Sequence, residues 1–196
     1  MERKAHIERS TRETQIQVSL NLDGSGNSSV STGIGFFDHL LDALQKHAGF
    51  DLNLKAAGDL HIDGHHTVED TGIVLGKVFS KAVGDAGGIN RFGWAYCPLD
   101  ETLARAVVDI SGRAFFRYSS ELDLERVGEF DGELFTEFLR AFADNARINL
   151  HVTLIYGSNH HHAMEAMIKA TARALRIALS RDDRETGIPS TKGVLN

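Results

Sequence analysis

The sequence predicts an α+β fold made of two tandem copies of one half-domain, with layered sheets and helices. Apolar residues recur at strand and helix spacing in the order strands, helix, strand, helix, and this order occurs twice. The pattern His-His-x-x-Glu also occurs twice, opening at His65 and at His161, which is a shift of 96 residues. The stretches GFFDHLLDAL and ELFTEFLRAF overlay at a shift of 98. We therefore predict a first α+β repeat over residues 1–90 and a second, with a C-terminal tail, over residues 91–196, in one integrated domain.

The first repeat opens with TQIQVSLNL, residues 14–22, whose polar and apolar residues alternate as in a half-buried strand. DGSGN follows as a turn. Apolar residues at helical spacing begin at Phe36, and Gly49 is expected to end that helix. FDLNLKA alternates as a strand. A second helical pattern runs from His65 and is expected to end near Gly84.

The second repeat contains the same kinds of segment. ARAVVDI (104–110) and AFFRYS (114–119) predict strands, and the apolar spacing over 134–146 predicts a helix. INLHVTLIY alternates as a strand, and the spacing over 164–178 predicts the last helix. The tail, RDDRETGIPSTKGVLN, is polar and rich in turn formers, so we expect it to be irregular.

Composition excludes several classes of protein. With 196 residues, of which 42% are hydrophobic, the chain can bury a core and is not a disordered segment. A net charge of −6 and the lack of a basic run argue against nucleic-acid binding. The single cysteine, Cys97, excludes an internal disulfide and suits a reducing cytoplasm. We expect neither a signal peptide nor a membrane span, and hence a cytoplasmic protein.

The doubled motif favours a metal site. A single His-His-x-x-Glu is as readily a solvated helix start, but two copies at matching places in two repeats favour ligands. Imidazole and carboxylate without thiolate suit manganese, iron, nickel or zinc. His39 and Glu137 lie at matching places on the preceding helices. The two motifs supply six ligands, three for each of two ions, and adding His39 or Glu137 gives each ion four protein ligands. An octahedral ion then keeps two positions for water or substrate.

Other residues invite an anion-binding interpretation. Arg91, Arg113 and Lys169 stand near turns or helix starts and are able to clamp an anion, although each alone is more often an ordinary surface charge. The stretch from Ser190 through Lys192 offers a hydroxyl, backbone amides and a cation. His47 shares a helix with His39, but its counterpart in the second repeat is an asparagine, so the duplication does not support it.

Five ordered motifs carry a family resemblance over nearly the whole chain. GFFDHLLDALQKHAGFDL, GDLHIDGHHTVEDTGIVLG, GINRFG, PLDETLARAVVDISGR and IPSTKG together resemble the imidazoleglycerol-phosphate dehydratases in their stand-alone form. The resemblance implies a manganese enzyme with two Mn(II) per active site. It also implies homo-oligomers, with trimers assembling into a 24-subunit shell whose active sites lie between subunits.

The resemblance also implies roles for individual residues. The metal ligands would be His39, His65, His66, Glu69, Glu137, His161, His162 and Glu165, where Glu137 replaces the histidine of many members. The phosphate of the substrate would be held by Arg91, Arg113, Lys169, Ser190 and Lys192. Glu13 would transfer protons near the substrate hydroxyls, and His47 would bind those hydroxyls or shuttle a proton. His160 lies outside the motif and receives no role.

The implied reaction is loss of water from D-erythro-imidazole glycerol phosphate to give imidazole acetol phosphate in histidine biosynthesis. Two ions that bind the two ring nitrogens would hold the ring as an imidazolate, which expels a hydroxyl and gives a diazafulvene-like intermediate. Two alternatives stay open at this stage. One is a two-metal hydrolase with a bridged ion pair. The other is a non-catalytic metal-binding module such as a ferritin-like bundle, although strands interrupt the helices here.

Overall fold

The computed structural model describes residues 2–182 and 187–195, and over these residues it contains eight strands and four helices. The first sheet comprises β1 (Lys4–Ser10), β2 (Thr14–Asn21), β3 (Ser28–Ser31) and β4 (Asp51–Gly58). The second sheet comprises β5 (Phe92–Leu99), β6 (Thr102–Asp109), β7 (Phe115–Ser119) and β8 (Asn149–Tyr156). The helices are α1 (Gly35–Ala48), α2 (His65–Val83), α3 (Gly132–Ala146) and α4 (His160–Leu179).

The two sheets have the same topology. Their strand orders are β1-β2-β4-β3 and β5-β6-β8-β7, and in each the first three strands are antiparallel while the last pair is parallel. The predicted α+β fold with two repeated halves is therefore confirmed. The division of the chain at residues 90 and 91 stays a prediction.

The strands that alternation predicted are present, whereas β1, β3 and β5 were not predicted. In β5 the large residues Phe92, Trp94 and Tyr96 are exposed, and small residues point inward. The reason is close packing, since a Cβ on Gly93 would lie 2.0 Å from the backbone oxygen of Ala174 in α4. In β5 the large apolar residues therefore face outward and the small residues face the core, so a pattern based on hydrophobicity alone does not predict this strand.

Helices of the two repeats pack against each other, α1 on α4 and α2 on α3, while α2 and α4 also cover their own sheets. Ring contacts join the halves, with centroids 5.1 Å apart for Phe37 and Phe138 and 5.5 Å apart for Phe79 and Phe142. The buried apolar residues of both repeats form one continuous cluster. Glycine allows the close approach of α2 to α3, because a Cβ on Gly72 would lie 2.8 Å from the Phe138 oxygen.

The predicted helix ends agree with the structure. Gly49 follows α1 in the left-handed region at φ 78°, and its N–H donates to the Gln45 oxygen over 2.9 Å. Gly84 follows α2 with φ 65°. The described part of the tail, residues 181–182 and 187–195, contains no helix and no strand beyond an isolated β-bridge between Arg181 and Ile89. Residues 183–186 and 196 of that prediction lie outside the described residues. Among the described residues, no helix combines the length and the apolar character that crossing a membrane requires.

The first turns of the four helices come together at one end of the helical layer. A Cβ on Gly64, which precedes α2, would lie 3.2 Å from side-chain atoms of both Ile34 at the start of α1 and Leu134 at the start of α3. The rings of Phe36 in α1 and His161 in α4 have centroids 4.8 Å apart. The fold therefore brings both copies of the His-His-x-x-Glu motif, and the helix starts that carry His39 and Glu137, to the same end of the molecule.

Candidate metal centre

Three of the predicted ligands form a compact cluster. His39, His161 and Glu165 place one ligand atom each within 4.8 Å of one another. The Glu165 Oε2 atom lies 3.4 Å from His39 Nε2 and 3.1 Å from His161 Nε2. His161 and Glu165 are four residues apart and so share a face of α4, whereas His39 comes from α1 of the other repeat. This is the one group of at least three such residues at that spacing among residues 2–182 and 187–195.

Aromatic packing holds the two histidine rings in place. The ring of Phe36 lies with its centroid 6.0 Å from that of His39 and 4.8 Å from that of His161, and it rests on Phe130, which is fully buried. The two imidazoles nonetheless remain about half exposed, so their ring nitrogens are accessible. Two accessible imidazoles and a carboxylate that converge on one small volume are a donor set suited to a divalent cation such as manganese.

The charge state of Glu165 suits a ligand. Burial raises the pKa of its carboxyl, but hydrogen bonds from Lys169 and His39 outweigh that effect and lower the pKa to about 2. Lys169 Nζ lies 2.6 Å from Glu165 Oε1, so a predicted phosphate-binding residue adjoins the cluster. The pKa of His47 is lowered, first by burial and then by the nearby charges of Lys169 and Arg173. His47 of α1 therefore lies near Lys169 and Arg173 of α4, and its imidazole favours the neutral form.

The first-repeat copy of the motif is more open. Nε2 of His65 and Oε2 of Glu69 are 3.8 Å apart, and both side chains are almost half exposed. Glu137 lies on a turn of α3 that packs beside the start of α2. Leu134 and Phe138, on either side of Glu137 in the sequence, approach Gly64 and Gly72 respectively. The Glu137 carboxylate lies 3.9 Å from the Arg140 guanidinium. This second set does not close to within 4.8 Å in the described parts of the chain.

Neighbouring histidines of the motif have different partners. His162 Nδ1 lies 2.8 Å from Glu101 Oε2, whereas His161 contacts Glu165. The ring planes of His161 and His162 are 88° apart, and those of His65 and His66 are 84° apart. The sequence therefore places each adjacent pair so that its two rings serve different contacts.

His66 has a carboxylate partner of its own. Its Nδ1 lies 3.0 Å from Asp59 Oδ2. The pKa of His66 is raised, first by that hydrogen bond, while burial opposes it and the charge of Glu13 adds to it. Glu13, the predicted proton-transfer residue, thus lies near a predicted ligand. His160 instead contacts Glu125, whose backbone N–H donates to its Nδ1 over 3.2 Å, and this contact lies outside the ligand cluster.

Most of the predicted phosphate-binding residues gather at another place. Arg91 donates to Asp109 over 2.7 Å and to the Pro189 oxygen over 2.9 Å, so it anchors the segment that carries Ser190 and Lys192. Asp109 pairs in register with Asn149, whose amide donates to the Arg113 oxygen over 2.8 Å. Arg91, Arg113, Ser190 and Lys192 are therefore neighbours.

Lys169 stands apart from that group within one chain. The Arg91 N–H donates to the Ala178 oxygen near the end of α4, over 2.9 Å. Lys169 lies nine residues earlier on the same helix, which corresponds to about 13 Å along its axis. One chain therefore presents the metal cluster near the start of α4, Lys169 at the middle of that helix and Arg91 beside its end.

Sequence reasoning missed Asp59 and Glu101 as partners of predicted ligands. Asp59 follows the last residue of β4, and Glu101 lies in the turn between β5 and β6. A signal was nevertheless available for Glu101, because Glu-Thr begins the second strand of both repeats, as Glu13–Thr14 and Glu101–Thr102.

Comparison with known proteins identifies the family. The family model described as imidazoleglycerol-phosphate dehydratase matches residues 32–175. The dehydratase of Gluconobacter oxydans is 59% identical over 194 residues, which cover 98% of each chain, and that of Thermoanaerobacter pseudethanolicus is 58% identical over 193 residues, 98% of this chain and 100% of the other.

Solved structures give the same result. The crystal structure of the dehydratase from Staphylococcus aureus matches with a TM-score of 0.83 and 42% identity, over 91% of this chain and 99% of that chain. The structure of the enzyme from Pyrococcus furiosus in complex with (S)-C348 matches with a TM-score of 0.80 and 32% identity. The match covers 96% of this chain and 100% of that chain. The chain therefore belongs to the imidazoleglycerol-phosphate dehydratase family and is a hydro-lyase of histidine biosynthesis.

Proposed function

We propose that this enzyme dehydrates D-erythro-imidazole glycerol phosphate to imidazole acetol phosphate at a site that holds two Mn(II) ions. The single observation that carries the proposal is the cluster of His39, His161 and Glu165, in which two accessible imidazoles and an ionised carboxylate converge. Its donors come from both repeats, and neighbouring donors of the same motif face elsewhere. The duplicated ligand set would provide for two such ions, one for each nitrogen of the substrate ring.

Each ion would take its ligands from both repeats. His39, His161 and Glu165 would hold one ion, while His65, Glu69 and Glu137 are their counterparts for the other. His66 and His162 complete the two sets. When bound, the ions stabilise the negative charge that develops on the imidazole ring of the substrate as it expels the hydroxyl. Imidazole and carboxylate donors without thiolate suit manganese.

The chain's own residues carry out the proton transfers and bind the phosphate. Glu13 is exposed and lies near His66, so its carboxylate exchanges protons with the substrate beside the ligand set. His47 favours its neutral form, which allows it to accept a proton or a hydroxyl hydrogen bond. Arg91, Arg113, Ser190 and Lys192 offer cations, a hydroxyl and backbone amides for the phosphate.

The separation of these groups within one chain supports sites shared between subunits. Lys169 adjoins the metal cluster, whereas the backbone of Arg91 contacts α4 at Ala178, nine residues and about 13 Å farther along the helix axis. We propose that different chains supply these two groups to one substrate. We propose a homo-oligomer of 24 subunits built from trimers, acting in the cytoplasm without nucleic-acid or membrane partners.

Direct assay tests the proposal. Metal-free protein is given imidazole glycerol phosphate with and without Mn(II), and imidazole acetol phosphate and inorganic phosphate are both measured. We expect ketone formation that depends on Mn(II) and no release of inorganic phosphate. Release of phosphate without ketone would favour a two-metal hydrolase, and full turnover by metal-free protein would exclude the proposed metal role.

A further inference from the structure

The carboxylate of Glu101 binds the imidazole of His162 and is held in place by further hydrogen bonds. Its Oε2 lies 2.8 Å from His162 Nδ1. Its Oε1 accepts from Thr102 Oγ1 over 2.9 Å and from the Asn159 N–H over 3.0 Å. An ionised carboxylate only accepts, so the proton of the neutral imidazole resides on Nδ1 and the lone pair on Nε2.

Glu101 and Glu13 occupy equivalent places in the two repeats. Each immediately precedes an eight-residue strand that begins with threonine, β2 from Thr14 and β6 from Thr102. Both strands are second in sheets of identical order. Glu13 also lies near the second histidine of its own motif, because Thr14 pairs with Gly58 and the following residue, Asp59, lies 3.0 Å from His66 Nδ1.

The two repeats differ in which carboxylate binds that histidine. In the second repeat it is Glu101. In the first, Asp59 binds His66 Nδ1 over 3.0 Å, and the side chain of Asp59 is only 12% exposed. Within the part of the chain that the structure describes, the Glu13 carboxylate makes no hydrogen bond. Thr14, the counterpart of Thr102, donates instead to Asp70 over 2.5 Å.

We propose that the duplicated glutamate has divided into two roles: Glu101 is a positioning residue that fixes the Nδ1-protonated tautomer of His162 so that Nε2 binds metal, and Asp59 does the same for His66, which leaves Glu13 available for proton transfer. The inference rests on the proposed metal role of His66 and His162. Carboxylate partners of metal-binding histidines fix the ring and raise its basicity, and their loss weakens metal binding by about 10–100-fold.

The test is Mn(II) binding to metal-free variants, measured by isothermal titration calorimetry together with elemental analysis and circular dichroism. Glu101→Ala should weaken one class of Mn(II) site by about 10–100-fold and leave the other class unchanged. Glu101→Gln should lose less affinity than Glu101→Ala, because its amide oxygen still accepts from Nδ1–H although its NH2 group then faces the Asn159 N–H. Glu13→Gln should bind Mn(II) as wild type does and lose turnover.

A matched control separates positioning from loosening of the start of α4. The Asn159 side-chain oxygen accepts from the backbone N–H of His162 over 3.2 Å and does not contact the imidazole. Asn159→Ala therefore loosens the helix start alone. Equal Mn(II) weakening in Asn159→Ala and Glu101→Ala would overturn the inference, as would wild-type affinity in Glu101→Ala. If Glu101→Ala does not fold, Asp59→Ala compared with Asp59→Asn gives the same readout in the first repeat. Wild-type protein that binds no Mn(II) would instead overturn the proposed function.

Discussion

His39 of α1 and Glu165 of α4 face each other across the boundary between the repeats, with 3.4 Å between Nε2 and Oε2. The two residues are 126 positions apart in the chain, and the packing of α1 on α4 is what joins them. Neither repeat therefore contains a complete copy of this cluster. The duplication supplies equivalent ligands, and the packing between repeats assembles them.

Replacing His39 should remove one ion without unfolding the chain, because its imidazole is about half exposed. Loss of an outer-shell partner alone weakens metal binding by about 10–100-fold, so loss of this ligand should weaken Mn(II) binding by at least about 100-fold at one class of site. Titration of metal-free His39→Ala with Mn(II) measures this. His151→Ala is the matched control, since His151 is an exposed histidine that packs on Phe115. Equal affinity in the two variants would rule out His39 as a ligand.

Glu137 should be a metal ligand although many family members have histidine at this position. Glu137→Gln should weaken one of two metal sites and lower turnover, because an amide is a poorer donor than a carboxylate. Glu137→His should retain activity. Stoichiometry from elemental analysis and the rate of ketone formation check both variants, and unchanged metal content in Glu137→Gln would count against the role.

Arg113 should act on substrate affinity. A hydrogen bond between charged groups contributes about 1.5–3 kcal/mol, so Arg113→Ala should raise KM by about 10–100-fold with a smaller effect on kcat. Inorganic phosphate should also inhibit the variant less well. Steady-state kinetics with phosphate as inhibitor decide the matter, and normal KM with normal phosphate inhibition would remove Arg113 from the phosphate site.

Metal removal should dissociate the assembly, because ligands from separate subunits bind the ion only when those subunits are together. Metal-free protein, verified by elemental analysis, should have a smaller mass by light scattering, and Mn(II) should restore the larger mass. Acidification below about pH 6 should have the same effect, since histidine binds metal only when neutral. A mass that stays at the full shell value without metal would contradict shared ligation.

The sequence predicted the duplication, all four helices and most strands because their apolar periodicity is strong. The ends of α1 and α2 at Gly49 and Gly84 followed from glycine chemistry. β5 escaped prediction because close packing of α4 requires small inward residues such as Gly93 and leaves the aromatic residues outside. The family resemblance is confirmed by the comparisons.

The repeat doubled the signal for the predicted ligands, three of which lie together in the structure, whereas partners brought in by long-range contacts were not predicted. The meeting of His39 with His161 depends on helix packing between repeats, which spacing along the chain does not encode. Asp59 and Glu101 were missed because their function as histidine partners appears only when a strand end or a turn lies beside a helix start. The individual site roles stay predictions.

The central claim is that two separate ions serve the two nitrogens of one substrate ring. An anomalous-scattering map of crystals grown with Mn(II) tests it most directly. We predict two peaks per active site, one of them at His39, His161 and Glu165. The distance between the two peaks should exceed that of a bridged ion pair, which is about 4 Å. A single peak, a pair within bridging distance, or a peak away from these three residues would contradict the account.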